Sequence, residues 1–236
     1  MYPEVKTFGD ENQVKITTKF LIGSKDLNTD NVVAEKLENG LKPFGNFEIM
    51  SSQKVGPTIA DDIKVSAFWS IMFSLLVIFL YILLRFRKWQ FSLGAVAAVF
   101  HDVIIVLSIF SIFYGILPFS LEIDQAFIAA LLTIIGYSLN DTVVVFDRIR
   151  EHMFLYKKKE FNSLVNNALN STLSRTVNTS LTTFFVLLVI FLFGGEVIRG
   201  FMFALMIGVI VGTYSSLFVA SPIMVDTLKK SLEIKK

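Results

Sequence analysis

Ionisable side chains inside long apolar runs are the positions where this sequence could carry chemistry. In "IIGYSLNDTVVVFDRIRE", Ile134 to Glu151, Asn140 and Asp141 interrupt an apolar run whose basic flank begins only at Arg148. A carboxylate at the centre of a spanning helix costs about 2.5 to 3.5 kcal/mol on insertion scales, so such residues face a bundle interior or a water path. The chemistry open to Asp141 is proton uptake and release; the competing reading is a side chain that snorkels to the nearer interface. A second run carries His101 and Asp102 in "FHDVII". Imidazole titrates near neutrality and could relay protons, whereas Asp102 reads equally as a hydrogen-bonded packing residue between helices. Successive helical residues point about 100° apart, which predicts that His101 and Asp102 do not form a joint metal site. Arg175, in "NSTLSRTVNTSLTT", supplies the opposite charge. An arginine favours the ionised carboxylate and desolvation the protonated one, so a site balanced between them can load and unload a proton. Arg175 also reads as an ordinary flanking charge.

The elements that must hold these groups are membrane helices. The chain has 236 residues, is 53% hydrophobic with 24 Phe and no Cys, and has a positive mean hydropathy, too apolar for an ordinary soluble domain of this size. Val65 to Leu84 is a run of 20 uncharged residues, enough to cross a hydrocarbon core of roughly 30 Å as a helix. Similar runs predict spans at about 65–84, 91–117, 125–147, 176–195 and 198–225. On these bounds Asp141 lies about 16 residues, or roughly 24 Å, from the outer end of span three, in the inner part of the membrane. Asp102 lies about eleven residues from the inner end of span two, near mid-membrane by the same rise. Tyr137 shares the Asp141 face one turn back, while Gly136 and Asn140 share the neighbouring face, where the glycine should admit another helix. Thr172, Arg175 or Thr176, Thr179 and Thr183 recur at helical spacing as a hydrated or hydrogen-bonded face. In span five, Gly200, Ala204, Gly208, Gly212, Ser216 and Ala220 step by four, a small-residue ridge for close helix packing.

Lysine and arginine set the orientation, because cytoplasmic loops near span ends are enriched in both. "RFRK" follows span one, "DRIREHMFLYKKKE" follows span three, and the tail ends in lysines, whereas Glu122, Asp124 and Glu196 lie in the other links with Arg199 as the one dissenting charge. The C-terminus is therefore expected inside and, with five crossings, residues 1–60 outside. Nothing before Val65 resembles a signal peptide or a span, which predicts at least one further span upstream in the native polypeptide. The domains expected are a partial extracytoplasmic α+β domain over 1–60 and a transmembrane domain over 61–236. In the first, "QVKITTKFLI" reads as a half-buried strand with Val14, Ile16, Phe20 and Ile22 inward, and "FEIMSSQKVGP" as a second strand. Between them "DNVVAEKLENGL" reads as a helix capped by Thr29 or Asp30, with Val32, Val33, Leu37 and Leu41 on its apolar face.

Several function classes find no support. Without cysteine and with two histidines, neither a thiolate nucleophile nor a Cys- or His-rich metal site is expected, and no cofactor is implied. "GYS" at Gly136 to Ser138 is no nucleophile elbow, since Asn140 stands where the pattern needs glycine, and no G-x-x-x-x-G-K loop occurs. A net charge of +2 concentrated beside the spans reflects topology and predicts no nucleic-acid partner. An enzyme is not expected.

Four stretches together resemble the SecF family of protein-export membrane subunits: "VGPTIADDI" before a span, "HDV" in the next, "GYSLNDTVVVFDRIRE" in the third and "NSTLSRTVNTSLTT" leading the fourth. The resemblance covers nearly the whole chain. It implies a mainly α membrane protein, a five-helix bundle corresponding to a six-helix half of the resistance-nodulation-division (RND) type without its first helix, plus the small external α+β domain. It implies Asp141 and Arg175 as proton-pathway residues and transfers no established role to Asp102; His101, Asn140, Tyr137 and Thr179 remain candidate supporting groups, and Gly136, Gly200, Ala204, Gly208 and Gly212 candidate packing residues. The partners implied are SecD, separate or fused upstream, the SecYEG translocon, YajC, a translocating preprotein and membrane lipid, in the bacterial cytoplasmic membrane. A proton-coupled small-solute permease and a nonconducting assembly scaffold are the competing functions.

Overall fold

A computed structural model describes residues 3–7, 12–18, 20–21, 29–50, 52 and 57–233. The chain divides into two compact units, Met1–Trp69 and Ser70–Lys236.

In the first unit, β1 (Glu4–Thr7) and β2 (Val14–Thr17) pair antiparallel with Val5 opposite Ile16 and Thr7 opposite Val14. Only Val5 of its four residues is apolar, so β1 offers no alternation to read from sequence. β2 stops at Thr17, short of Phe20, and Ile22 lies outside the described residues. Helix α1 (Thr29–Leu41) forms as expected, but Thr29 and Asp30 sit within its first turn rather than ahead of it. Val33, Leu37 and Leu41 are half-buried, while Val32 is exposed. The second expected strand does not form over its described part. A short 3₁₀ turn, Lys42–Phe44, ends at Gly45 with φ +124°, and residues 46–50 and 52 run on without pairing. A strand exists only where a partner edge takes up its amides and carbonyls, and among the described residues the sheet holds β1 and β2 alone. The remainder of that segment, residues 51 and 53–56, lies outside the described residues.

Among the described residues, five helical stretches are long and apolar enough to cross a membrane: Val65–Phe86, Trp89–Phe113, Gln125–Leu155, Phe161–Phe193 and Ile198–Ser231. The first belongs to α2 (Pro57–Phe86), whose opening proline gives up an amide that has no partner in a first turn anyway. Helix α3 (Trp89–Phe113) ends earlier than expected, before the turn at Gly115 with φ +75°. Helix α4 (Gln125–Leu155) is capped by Asp124, whose Oδ1 accepts the Phe127 amide at 2.8 Å. Helix α5 (Phe161–Phe193) begins 15 residues before the expected Thr176. Its polar first half hid the start, because hydropathy marks where a helix meets lipid and not where it begins. Arg175 therefore lies inside a helix, not at its entry. Helix α6 (Glu196–Ser215) passes through a π-helical turn, Ser216–Ala220, into α7 (Ser221–Glu233). Pro222 accounts for that turn. It has no amide to offer the carbonyl four residues back, and its ring crowds that position.

Within Ser70–Lys236 the apolar core lies in clusters above and below a polar layer. Val106, Phe110, Phe127, Leu131, Ile134 and Ala204 form one cluster, with the Phe110 and Phe127 rings 4.3 Å apart. Phe86, Phe91, Phe146, Ile149, Ala220 and Met224 belong to another, where Phe146 stands edge-on to Phe91 at 5.1 Å. Between them in sequence come buried Asp102 on α3, then Ser138, Asp141 and Thr142 on α4, then Ser215 at the end of α6 and Ser216 at the start of the π turn.

Candidate functional site

The two carboxylates occupy one layer of the bundle. Because α4 runs on to Leu155, Asp141 sits about halfway along it, and Ser138, the α4 residue that bonds Asp102, is one turn away. Asp102 is 0% exposed and Asp141 4%.

Asp141 accepts a hydrogen bond from Ser180 Oγ of α5 at 3.2 Å, and Ser180 in turn accepts one from Thr213 Oγ1 of α6 at 2.6 Å. This chain ties α4, α5 and α6 together at the carboxylate. Neither Ser180 nor Thr213 was picked out from sequence, although Thr172, Thr176 and Ser180 step by four and are all buried. That period was the available signal. The expected stripe splits: Thr172 and Thr176 turn inward, while Arg175 and Thr179 are exposed. The fully buried Thr176 Oγ1 has no hydrogen-bond partner among the described residues.

Arg175 is near enough for its charge to act on Asp141, yet no ion pair joins them. The helix explains why. Five residues separate Arg175 from Ser180, which turns the arginine about 140° away from the residue that meets Asp141. Thr179 bonds its own helix, donating to the Arg175 carbonyl at 2.9 Å. Tyr137 crosses from α4 to α5, its Oη donating to Thr183 Oγ1 at 3.2 Å and reaching the Thr179 carbonyl at 3.4 Å. Asn140 and Gly136 are exposed, and a Cβ at Gly136 would meet nothing within 4 Å. The expected helix approach at Gly136 is thus not made among the described residues, because α6 packs on the other side of α4.

That packing uses the ridge on α6. A Cβ at Gly208 would overlap the Ile134 side chain, and one at Gly212 would lie 3.0 Å from Ser138 Cβ. Ala204 is fully buried, and Gly200 faces the Ser120 carbonyl in the α3–α4 link. Gly94 on α3, not singled out from sequence, lies against the Ala220 carbonyl of the π turn.

Asp102 has the richer set of partners. Its Oδ2 accepts from Ser138 Oγ at 2.6 Å and Ser215 Oγ at 2.8 Å, and its Oδ1 lies 3.1 Å from His101 Nδ1. His101 and Asp102 thus do meet, side chain to neighbouring side chain, despite their different helical directions. No cluster of three metal-ligating residues occurs among the described residues. The basic stretch after Phe146 is tied down separately, with Asp147 bridging Arg85 and Arg150 at 2.8 Å each.

Five membrane-length helices around a layer of hydroxyl-bound carboxylates define a multi-pass α-helical membrane protein with a polar site inside its bundle. Comparison with known proteins narrows the class. Residues 34–230 match the family described as protein export membrane protein SecD/SecF, C-terminal, and the chain belongs to that family. It is 52% identical over 225 residues to the protein translocase subunit SecF of Rhodothermus marinus, covering 95% of this chain and 71% of that protein. Against the Helicobacter pylori subunit SecF, strain J99, it is 41% identical over 217 residues, covering 92% and 64%. The SecDF of Brucella abortus is 40% identical, with 87% of this chain matching 26% of that protein. Among solved structures, a Thermus SecDF described as a translocon-associated membrane protein superposes with a TM-score of 0.70 at 36% identity, covering 92% of this chain and 28% of that one. The SecDF relatives associate the family unit with SecD. The chain spans 71% and 64% of these SecF relatives.

Proposed function

We propose that this chain is a SecF-type subunit which, with SecD, uses the proton motive force to assist preprotein translocation through SecYEG in the bacterial cytoplasmic membrane. Asp141 is the proton carrier. The observation that carries the reading is the Asp141, Ser180, Thr213 chain, which makes one buried carboxylate a shared contact of three helices. A proton arriving there changes the charge and the hydrogen bonding at a three-helix junction, and so biases the packing between two arrangements. Arg175, exposed on α5, presents its charge on the face where a partner helix of SecD would supply a second carboxylate. Residues 1–60 lie outside the membrane in this scheme, where their movement acts on the emerging preprotein, and the C-terminus lies inside; YajC is a further candidate partner.

Replacing Asp141 by Asn in the reconstituted SecD–SecF complex tests the assignment. Stimulation of export by a proton gradient is expected to vanish while gradient-independent export persists. Undiminished stimulation would remove Asp141 from the coupling role.

A further inference from the structure

Asp102 is a fully buried carboxylate that the scheme above does not use. It lies on the α3 side of the α4–α6 pair, as Asp141 lies on the α5 side, and both are wired to the same short segment of α6. Thr213 reaches Asp141 through Ser180, and Ser215 bonds Asp102 directly. The next residue, Ser216, pairs with Thr142 Oγ1 at 2.8 Å and reaches the Ser138 carbonyl at 3.3 Å, and it opens the π turn. We propose that the His101–Asp102 pair is a second proton-binding site of this chain, coupled to Asp141 through Thr213–Ser216 of α6.

Three observations support it. First, a carboxylate removed from water needs either a proton or a compensating cation, and no lysine or arginine reaches Asp102 among the described residues. His101 does, with a side chain 31% exposed against 0% for Asp102, so it links the buried oxygen to the outer face of α3. A proton taken up by the pair rests on the imidazole or on the carboxyl, and the Nδ1 to Oδ1 contact at 3.1 Å serves both arrangements.

Second, the surroundings are mapped on every packed element. Helix α4 brings Ser138, with Asp141 one turn on and bonded instead to Ser180. Helix α6 brings Ser215, and Tyr214 with its ring 6.2 Å from that of His101. The π turn brings Ser216, and Phe218 stacked on Tyr214. Helix α2 brings Ile71, Leu75 and Ile78 against Val99 and Val103, and α7 brings Met224 against Gly94. His101, Tyr214 and Asp141 are thus the titratable neighbours of Asp102 among the described residues.

Third, the segment that bonds Asp102 directly and reaches Asp141 through Ser180 runs into a π turn, a geometry that recurs at functional sites. A change in proton occupancy at Asp102 pulls or releases Ser215, and the same stretch carries Thr213 to Ser180.

The existence of this second site is independent of the proposed function, whereas its role in export rests on that reading. The test is infrared difference spectroscopy of the full chain in complex with SecD, titrated with pH in lipid. Asp102→Asn is expected to delete one titrating carboxyl signal that Asp141→Asn retains. His101→Gln, which keeps a polar side chain and is expected to fold if Asp102→Asn does not, is expected to change the proton affinity of that signal by about tenfold. Ser215→Ala is expected to move the titration of both carboxyl signals. Identical titrating signals in wild type and Asp102→Asn, or an Asp102 signal unmoved by His101→Gln, would overturn the site. An Asp141 signal unaffected by both Asp102→Asn and Ser215→Ala would overturn the coupling. If Asp141→Asn leaves gradient-stimulated export intact while the Asp102 signal titrates as described, the proposed function falls and the site stands.

Discussion

Replacing Gly208 by alanine should separate α4 from α6 in the apolar cluster next to the polar layer, and the structure sets the size of the effect. The added Cβ would overlap the Cγ1, Cδ1 and Cγ2 carbons of Ile134. Ile134 is 2% exposed and packed among Phe127, Leu131 and Ala204, so it has no open side to turn into. Overpacking of this kind costs about 1 to 3 kcal/mol, or roughly a 5- to 150-fold loss in the ratio of folded to unfolded chain. Gly136→Ala is the matched control. It adds the same methyl to α4 where nothing lies within 4 Å, and helix propensity there favours alanine by up to about 1 kcal/mol. Thermal unfolding of the purified chain in one detergent should therefore place Gly208→Ala below wild type and Gly136→Ala at or above it. Ile134→Ala removes all three overlapped carbons at a cost of about 2 to 5 kcal/mol by itself. Added to Gly208→Ala, it should yield a double variant less destabilised than the sum by about 1 kcal/mol or more. Additive losses, or a Gly208→Ala chain as stable as wild type, would show that the α6 ridge does not seat on Ile134.

Other substitutions probe the site and its supports. Ser180→Ala removes the donor to Asp141 and the acceptor of Thr213. It should cost about 1 to 3 kcal/mol through the polar groups left unpaired, read as a lower melting temperature together with weaker gradient-stimulated export. Asp147→Asn breaks the ion pairs to both Arg85 and Arg150, whose side chains are about two-fifths exposed (39% and 45%). Exposed pairs contribute about 0 to 1 kcal/mol, so the melting temperature should move little, and less still at high salt. Pro222→Ala restores an amide able to bond the Phe218 carbonyl and should tighten the π turn into α-helix. Slower amide exchange over residues 216–222, with reduced export at unchanged assembly, is the expected outcome; unchanged exchange would mean the π turn has another cause.

The parts of this protein legible in its sequence are those governed by local solvent preference. A membrane-length run of apolar residues must bury its backbone polar groups as helix wherever it lies, so five spans and the membrane class follow from residues read in order. The cost of a carboxylate in such a run is equally local, and it marked Asp141 and Asp102 before any packing was known. The long third-span stretch around Asp141 also carried the family. Helix starts were less legible where polarity is tolerated, as at Phe161, and a four-residue β1 left no periodic trace.

Pairing was decided only by the tertiary structure. Whether Asp141 meets Arg175 or Ser180 depends on how α5 is rotated about its own axis, and a five-residue offset turns one toward the carboxylate and the other away. Asp102 reads as an even choice between chemistry and packing until Ser138 and Ser215, from two other helices, are found on one of its oxygens. Hydropathy is a property of each segment, whereas a hydrogen bond between helices is a property of their mutual rotation and height. Those are set by which small residues let two helices close, and here Gly208 and Gly212 on α6 bring that helix against Ile134 and Ser138 of α4.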